Sequence, residues 1–292
     1  MTATALPTPT QLGLGGMPAR LFSCTPSRLA TWLDCPRRYK FVYVDRPTPA
    51  KGPPWAHNSV GASVHAALAA WWSLPVERRT PSNAGALLRS KWIGLGFRDD
   101  EQAAQWRERA AEMVSGYAER LDPYDEPVGV ERTVAMRTPA LAFSGRIDRL
   151  DRRGDELVVV DYKTGRHVLS TDDARGSLAL ALYAAAAART LRRHCLAVEL
   201  HHLPTGRVLR WEHTQETLDR QLRRAHDIAA EAAAAPERVA AGEDVDAVYP
   251  PRPGPMCGWC DFAAHCPQGR AAAPPHAPWA GLAEDIAPLD DD

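Results

Sequence analysis

Apolar side chains recur at helical spacing through the first 120 residues of the chain. In the segment 60–72, Val64, Leu68 and Trp71 lie three or four residues apart and would share one face of a helix. Several prolines interrupt the pattern near residue 50, where we expect a loop. The sequence predicts a mostly helical first part over 21–121, with helices at about 28–44, 60–72, 83–94 and 100–121.

From Gly129 the pattern changes to the residue-by-residue alternation of β-strands. The segment Arg153–Asp155 separates two apolar runs and has the composition of a tight turn. We therefore expect an antiparallel meander, followed by further helices and strands, in an α/β (α+β) fold whose small mixed sheet is flanked by helices. The predicted elements are strands beginning at Gly129 and covering 140–149 and 156–162, a helix at 176–194, strands at 196–203 and 207–213, and a helix at 215–241.

Three segments fall outside these patterns. Residues 1–20 and 271–292 are rich in Pro, Ala and Gly without periodic apolar positions, which predicts a disordered tail at each end. The segment 250–267 is rich in Pro and Cys and cannot form a long regular element. The interpretation is a single domain over 21–270 that closes with this cysteine-rich segment.

The residues most informative about function lie at the end of the strand predicted at 156–162. It ends in Asp161-Tyr162-Lys163, and strand alternation places Asp161 and Lys163 on one face. Asp148 ends the preceding strand, so the hairpin should bring it next to Asp161. Two carboxylates and the Tyr162 carbonyl are ligands for Mg²⁺ or Mn²⁺, which activates water and neutralises the charge of a phosphodiester transition state. An isolated Asp-x-Lys at a strand end is usually a solvated surface feature, and Asp148 is what favours the metal site.

Two further residues are weaker candidates for the same site. His65 lies on the helix predicted at 60–72, whose other face is apolar, but a single helical histidine is more often structural than a ligand. Glu131 lies on the first predicted strand, where an acid is usually solvated.

The composition of the 292 residues is that of an ordinary globular protein, with 45% hydrophobic and 24% charged residues. The net charge of -1 argues against a chain coated in basic residues. That neutrality depends on the C-terminal residues, because no Lys or Arg follows Arg270. The five acids beyond it are Glu284, Asp285, Asp290, Asp291 and Asp292. The rest of the chain has more bases than acids, so an anionic partner is compatible with the charge balance.

No run of about 18 apolar residues is present, so the sequence predicts no membrane span. The first twenty residues also lack the pattern of a secretory signal, and we expect a cytoplasmic protein. In that compartment the six cysteines are expected to be thiols or metal ligands rather than disulfides.

Five short motifs follow one another in an order that resembles a known family. They are Ser27-x-x-x-x-Trp32-x-x-Cys35-Pro36, Gly61-x-x-x-His65, Gly145-Arg146-Ile147-Asp148, Asp161-Tyr162-Lys163-Thr164-Gly165 and Cys257-x-x-Cys260-x-x-x-x-x-Cys266-Pro267. Together they resemble the RecB-type and Cas4-type exonucleases of the PD-(D/E)XK nuclease superfamily, over about residues 21–270. The resemblance implies that superfamily's nuclease core and a metal-dependent DNA exonuclease of repair or recombination. The implied partners are DNA, as single strands or duplex ends, and a helicase or repair protein.

The resemblance also implies roles for individual residues. His65, Asp148 and Asp161 would be metal ligands, and Lys163 the catalytic lysine. Tyr183 matches the tyrosine of the family's Q-x-x-x-Y helix, which contacts substrate or supports the site. The glutamine position is occupied by Ala179 here, which departs from the family pattern and places polarity, substrate or activity in question.

The three cysteines at 257–266 need a fourth thiolate to complete a metal site. The resemblance implies Cys35, and a [4Fe–4S] cluster held by Cys35, Cys257, Cys260 and Cys266. Cys24 is the rival for the fourth ligand, and zinc also fits four cysteines on chemistry alone. Next to Cys35, Arg37 and Arg38 could meet a DNA backbone, although ordinary solvated arginines would have the same sequence.

Three hypotheses about function follow. The first is a metal-dependent exonuclease. The second is an iron–sulfur module that binds DNA and recruits repair partners with little or no cleavage, for which Ala179 is the support. The third is a zinc-stapled protein unrelated to nucleic acid.

Overall fold

The computed structural model describes residues 21–282 and centres on one mixed sheet of six strands with helices on both faces. The strands are β1 (Phe22–Cys24), β2 (Gly129–Arg137), β3 (Leu141–Arg153), β4 (Glu156–Lys163), β5 (Ala197–His202) and β6 (Arg207–Glu212). Their order is β1-β3-β4-β5-β6, with β2 paired to β3. The predicted α/β (α+β) class, with a mixed sheet flanked by helices, is confirmed.

The helices also follow the predicted series, with differences at their ends. They are α1 (Pro26–Asp34), α2 (Pro36–Tyr39), α3 (Ala56–Trp72), α4 (Pro81–Ser90), α5 (Asp100–Ala118), α6 (Thr171–Gly176), α7 (Leu178–Leu191), α8 (Gln215–Ala240), α9 (Val245–Val248) and α10 (Pro267–Ala272). A π-helical turn covers Lys40–Val44, and short 3₁₀ turns cover Val76–Arg78, Pro255–Trp259 and Ala263–His265. The 3₁₀ turns at 255–265 agree with the prediction that this segment forms no long element.

Two predicted helices differ from the structure in their bounds. The helix expected at 28–44 breaks at Cys35, which is extended because a residue before proline avoids the helical region. The helix expected at 176–194 is observed as α7 and begins at Leu178, because the Ser177 side chain accepts a hydrogen bond from Leu180 N and caps it. Strand β1 is a further difference, since it lies in the part predicted to be mostly helical and pairs in parallel with the start of β3.

Strand β4 is buried on both faces, which explains its uninterrupted apolar sequence. Leu157 and Val159 belong to the larger hydrophobic cluster, which includes side chains of α1, α7 and α8. Val158 and Val160 belong to the second cluster, with side chains of α3, α4 and α5. The sheet is thus the middle layer between two helical layers. The buried strand β4 carries Asp161 and Lys163 at its C-terminal end.

The segment predicted as an acidic C-terminal tail is packed in its first part. Pro278 O accepts a hydrogen bond of 3.0 Å from Ala56 N, and Trp279 and Leu282 pack against the α3–α5 cluster. The prediction of disorder from residue 271 is therefore wrong for 271–282. Leu282 is buried and Trp279 half-buried without forming a regular element, so these residues give no periodic signal. The predicted tail residues 1–20 and 283–292 lie outside the described residues.

Within residues 21–282 the structure contains no helix that is long and apolar enough to span a lipid bilayer.

Candidate active site

The hairpin of β3 and β4 brings Asp148 and Asp161 side by side. The antiparallel register pairs Arg149 with Val160, and the next step along both strands pairs the two acids. The backbone N–H of Tyr162 donates a hydrogen bond of 2.8 Å to Asp148 Oδ2. The juxtaposition predicted from the hairpin is thus present.

Asp161 is held in a largely buried position with Lys163 above it. Asp161 Oδ2 forms an ion pair with Lys163 Nζ at 2.6 Å. Burial raises the pKa of Asp161, an effect that Lys163 and His65 oppose and Asp148 reinforces. The ammonium group of Lys163 thus favours the charged form of a largely buried carboxylate.

His65 reaches the same acids from helix α3. Its Nδ1 lies 3.2 Å from Asp148 Oδ1, and its ring packs edge-on against Tyr162 with the centroids 5.8 Å apart. Burial would lower the pKa of His65, but Asp148, Asp161 and Glu131 outweigh it and raise the pKa. The neutral imidazole is the form that ligates a metal.

Glu131, a weak candidate from its sequence alone, lies next to His65 and Asp148 in the structure. Its Oε1 lies 4.0 Å from His65 Nδ1, and its carboxylate also pairs with Arg146. Among the described residues, one set of three or more His, Cys, Asp or Glu side chains has all its ligand atoms within 4.8 Å of one another. That set is His65, Glu131 and Asp148. The register of β2 against β3 explains this position, because the pairing of Val130 with Arg149 places Glu131 across from Asp148.

The backbone at Glu131 is also unusual, with φ of 49° in a strand. A non-glycine residue in this left-handed region costs of order 1–3 kcal/mol, and such strain is concentrated at functional sites. The strained backbone thus belongs to a residue that turns its carboxylate toward His65 and Asp148.

These donors fit a hard divalent cation. The His65 imidazole nitrogen and the carboxylate oxygens of Glu131 and Asp148 make a mixed O/N set, whereas Asp161, also predicted as a ligand, is not part of the set within 4.8 Å. Mg²⁺ and Mn²⁺ prefer oxygen-rich sets of this kind. The Tyr162 carbonyl, predicted as an additional ligand, stays a prediction.

Tyr183 approaches the site from helix α7. A Cβ on Gly145 would lie 2.4 Å from its Cε1, so the absence of a side chain at residue 145 makes room for the phenol ring. Burial raises the pKa of Tyr183 to about 12, and the carboxylates of Asp161, Asp148 and Glu131 contribute to the rise. The structure therefore places the ring of Tyr183 against Gly145, three residues before Asp148 on β3.

Two open cavities flank the site and both are lined by Gly61. The first, of about 450 Å³, is lined by His65, Glu131 and Arg146. The second, of about 260 Å³, is lined by Lys163, Arg166 and Trp106 among others. Two of the metal-ligand candidates, His65 and Glu131, thus line one cavity and Lys163 lines the other.

The four cysteines named for a cluster line one cavity near the molecular surface, together with Arg38 and Phe41. Cys257 Sγ and Cys266 Sγ both lie within 3.4 Å of the position that a Cβ on Gly269 would take, and Gly269 N donates a hydrogen bond of 3.3 Å to Cys266 Sγ. The Sγ atoms do not come within 4.8 Å of one another as a set of three. Cys24, the rival fourth ligand, is buried in the main core instead, where burial raises the pKa of its thiol to about 11.

The two arginines after Cys35 have different surroundings. Arg37 donates to Tyr249 O at 3.0 Å and pairs with Asp246 at 2.6 Å, so its guanidinium connects α2 to α9 and to the residue that follows it. Arg38 lines the cysteine cavity, is partly exposed, and lies 3.9 Å from Asp34. Of the two, Arg38 is the one with a guanidinium open to solvent.

The family model of the PD-(D/E)XK nuclease superfamily matches residues 23–267. The match covers most of the chain, and the protein belongs to that superfamily. It includes every residue discussed above as a metal-ligand, lysine or cysteine candidate.

Comparison with solved structures agrees with this assignment. The crystal structure of a candidate exonuclease from Eubacterium rectale is similar with a TM-score of 0.50 and 12% sequence identity, over 84% of this chain and 87% of the other. At that identity the likeness concerns the fold. The comparison with curated proteins gives no match.

Proposed function

We propose that this protein is a metal-dependent DNA exonuclease of the RecB or Cas4 type, acting in DNA repair or recombination in the cytoplasm. The observation that carries the proposal is the convergence of His65, Glu131 and Asp148 beside the Asp161–Lys163 pair. A mixed O/N ligand set next to a lysine on a strand end is suited to hydrolysis of a phosphodiester. Superfamily membership and the fold support the nuclease class.

In this proposal His65, Asp148 and Asp161 hold Mg²⁺ or Mn²⁺, with Glu131 as a further ligand. The ion supplies an activated water and neutralises negative charge on the phosphate. Lys163 lies close enough to Asp161 to orient that water or to stabilise the charge that develops. Tyr183 closes the site from the α7 side and contacts the substrate. The acids repel a phosphate backbone until a cation is bound, so DNA binding and metal binding are linked.

A [4Fe–4S] cluster on Cys35, Cys257, Cys260 and Cys266 is the second part of the proposal. All four cysteines line one cavity, and they lie on α1–α2 and on the C-terminal segment, which the cluster would fasten together. Zinc bonds of 2.3 Å place four sulfurs about 3.8 Å apart, whereas a cubane binds each thiolate at a separate iron and spreads them more widely. Among the described residues no three of these sulfurs lie within 4.8 Å of one another, so the choice of a cluster over zinc rests on the family resemblance.

Arg38 is proposed as a phosphate contact, because it is partly exposed beside the cysteine cavity. Arg37 was predicted for the same role, but its contacts with Asp246 and Tyr249 support a structural one. Binding of DNA through such contacts weakens as salt rises. A helicase or repair protein is the expected partner.

A DNA-binding module without cleavage is the second candidate function. Ala179 favours it, because the glutamine of the family motif would place a hydrogen-bonding side chain one turn before Tyr183. Such a module would keep the fold, the cluster and salt-sensitive DNA binding. It would not need Lys163.

The test is a nuclease assay on end-labelled single-stranded and duplex DNA with Mg²⁺ or Mn²⁺, using anaerobically purified protein. We expect the wild type to release nucleotides from the labelled ends and Lys163→Ala to lose cleavage by about a hundredfold or more. Lys91→Ala is the matched control, since Lys91 is exposed at the end of α4. Salt-sensitive DNA binding by a wild type that cuts no end structure with either ion would favour the binding module.

A further inference from the structure

A closed set of polar side chains, most of them buried, lies between the sheet and helix α5, behind the candidate active site. We call it the polar circuit. Its members are Tyr117 on α5, Arg149, Asp151 and Arg153 on β3, and Glu199 and His201 on β5. Glu199 is 2% exposed and Arg149 4% exposed, so charges of both signs are removed from water here.

The first half of the circuit runs from Arg149 to Glu199 with a defined donor direction. Burial lowers the pKa of His201, so its ring is neutral. Glu199 can only accept, and therefore His201 Nε2 donates to it at 2.9 Å. His201 Nδ1 is left as the acceptor for the Tyr117 hydroxyl at 2.7 Å, while the Tyr117 oxygen accepts from Arg149 at 3.4 Å.

The second half returns to Arg149 along strand β3. Arg153 donates to Glu199 at 2.9 Å and to Asp151 at 3.5 Å. Asp151 accepts at 2.8 Å from Arg149, which closes the loop. Each carboxylate in the circuit thus receives hydrogen bonds from two other members.

The circuit crosses strand β4, although none of its residues lies on that strand. Strands β3 and β5 flank β4 in the sheet, so side chains that join them to α5 enclose β4 from one face. Tyr162 of β4 is held among aromatic groups there, with its ring 5.6 Å from that of Tyr117 and its hydroxyl 3.4 Å from Trp72 Nε1. The guanidinium of Arg149 lies 5.2 Å from the Trp72 ring.

Three elements that the circuit includes or contacts, β3, β4 and α3, also carry a residue of the candidate site. Arg149 directly follows Asp148 on β3, and Tyr162 lies between Asp161 and Lys163 on β4. Trp72 lies on α3, the helix that carries His65. The three elements that must be aligned for metal binding are therefore joined to one another behind the site.

From these contacts we infer that the polar circuit is a positioning device for the metal site, with Tyr117 as its central positioning residue. The inference rests on the proposed function for its catalytic consequence. Buried ionic groups add little stability over apolar packing of the same volume, since their desolvation cancels most of their attraction. What they supply is one fixed geometry, and here that geometry sets the distances among His65, Asp148 and Asp161.

The test removes one hydroxyl. Tyr117→Phe keeps the aromatic packing but takes away the group that joins Arg149 to His201. We expect the Kd for Mn²⁺, measured by titration calorimetry, to rise about tenfold, and kcat on DNA to fall about tenfold with KM unchanged. Arg153→Lys keeps the charge but removes the two-pronged contact with Glu199 at the solvent-exposed end of the circuit, and should give about a threefold change in the same direction.

Gln102→Met is the matched control, because it removes a buried hydrogen bond from the other end of α5, where Gln102 accepts from Arg98 N. It should lower the Tm as Tyr117→Phe does and leave Mn²⁺ affinity unchanged. Equal Mn²⁺ affinity in wild type, Tyr117→Phe and Arg153→Lys would overturn the inference. A wild type that cuts no DNA, combined with weakened Mn²⁺ binding in both variants, would refute the nuclease proposal and leave the positioning role standing.

Discussion

Asp148 and Tyr162 are joined by a hydrogen bond from the Tyr162 backbone N–H to Asp148 Oδ2, at 2.8 Å. A side chain takes the place of a backbone acceptor at the point where the β3–β4 pairing ends. This bond fixes the orientation of the carboxylate, so that Oδ1 is turned to His65 at 3.2 Å. Asp148 therefore connects the sheet to helix α3, and the geometry of the candidate metal site depends on it.

Glu131→Gln tests the added ligand. The substitution keeps the size of the side chain and removes the charge that faces His65 and Asp148. Because an amide is a weaker ligand than a carboxylate for a hard cation, we expect the Kd for Mn²⁺ to rise about tenfold. Titration calorimetry measures it, with Glu237→Gln on α8 as the control. An unchanged Kd would mean that Glu131 serves only as the partner of Arg146.

Gly145→Ala tests the fit of Tyr183 against strand β3. The added Cβ would lie 2.4 Å from Tyr183 Cε1, so the ring or the strand must move. Overpacking of this kind costs about 1–3 kcal/mol, and we expect a lower free energy of unfolding in urea together with weaker cleavage. Gly116→Ala is the control, since nothing lies within 4 Å of its added Cβ and alanine favours the interior of α5. Equal stability of the two variants would contradict the tight contact.

The proposed iron–sulfur cluster can be tested by its absorption spectrum. Protein purified without oxygen should be brown with a broad absorption band near about 400 nm, and Cys260→Ser should lose the band. Cys195→Ser is the control, because Cys195 is buried away from the cavity and burial raises the pKa of its thiol to about 12. A colourless protein that contains one zinc ion per chain would show that the cluster proposal is wrong.

Much of the sheet could be predicted because its signals are local. The alternation from Gly129 and the turn at Arg153–Asp155 give the meander, and the meander alone puts Asp148 next to Asp161. Strand β1 could not be found in this way, since three residues carry no measurable period and their partner β3 lies more than 100 residues further along. The packing of Trp279 and Leu282 escaped prediction for a similar reason.

The candidate site was predictable only in part. The spacing along the hairpin predicts that Asp148 and Asp161 are neighbours, but it does not indicate which polar residue of α3 faces the sheet. His65 was selected through the family resemblance rather than through its helix pattern. Glu131 was set aside because acids on strands are usually solvated, and its left-handed φ of 49° has no sequence signature in a residue other than glycine. The buried charges of β5 also went unnoticed, because Glu199 and His201 read as polar positions and not as core.

Glu199→Gln tests how much the buried circuit contributes to stability and at which pH. Burial alone would raise the pKa of Glu199, but hydrogen bonds from His201 and Arg153 outweigh it and lower the pKa from 4.5 to about 2. A lowered carboxyl pKa means that the stabilisation is complete above pH 4.5 and is lost as the pH falls toward 2. Removing the charge weakens the contacts of this side chain with Arg153, His201 and Arg210, so we expect a loss of about 3 kcal/mol at pH 7. Urea unfolding should show the same difference between wild type and variant at pH 7 and pH 5, and a smaller one at pH 3.5. Glu237→Gln on the exposed face of α8 should change neither value, and a difference that grows on acidification would mean that Glu199 is not charged in the folded protein.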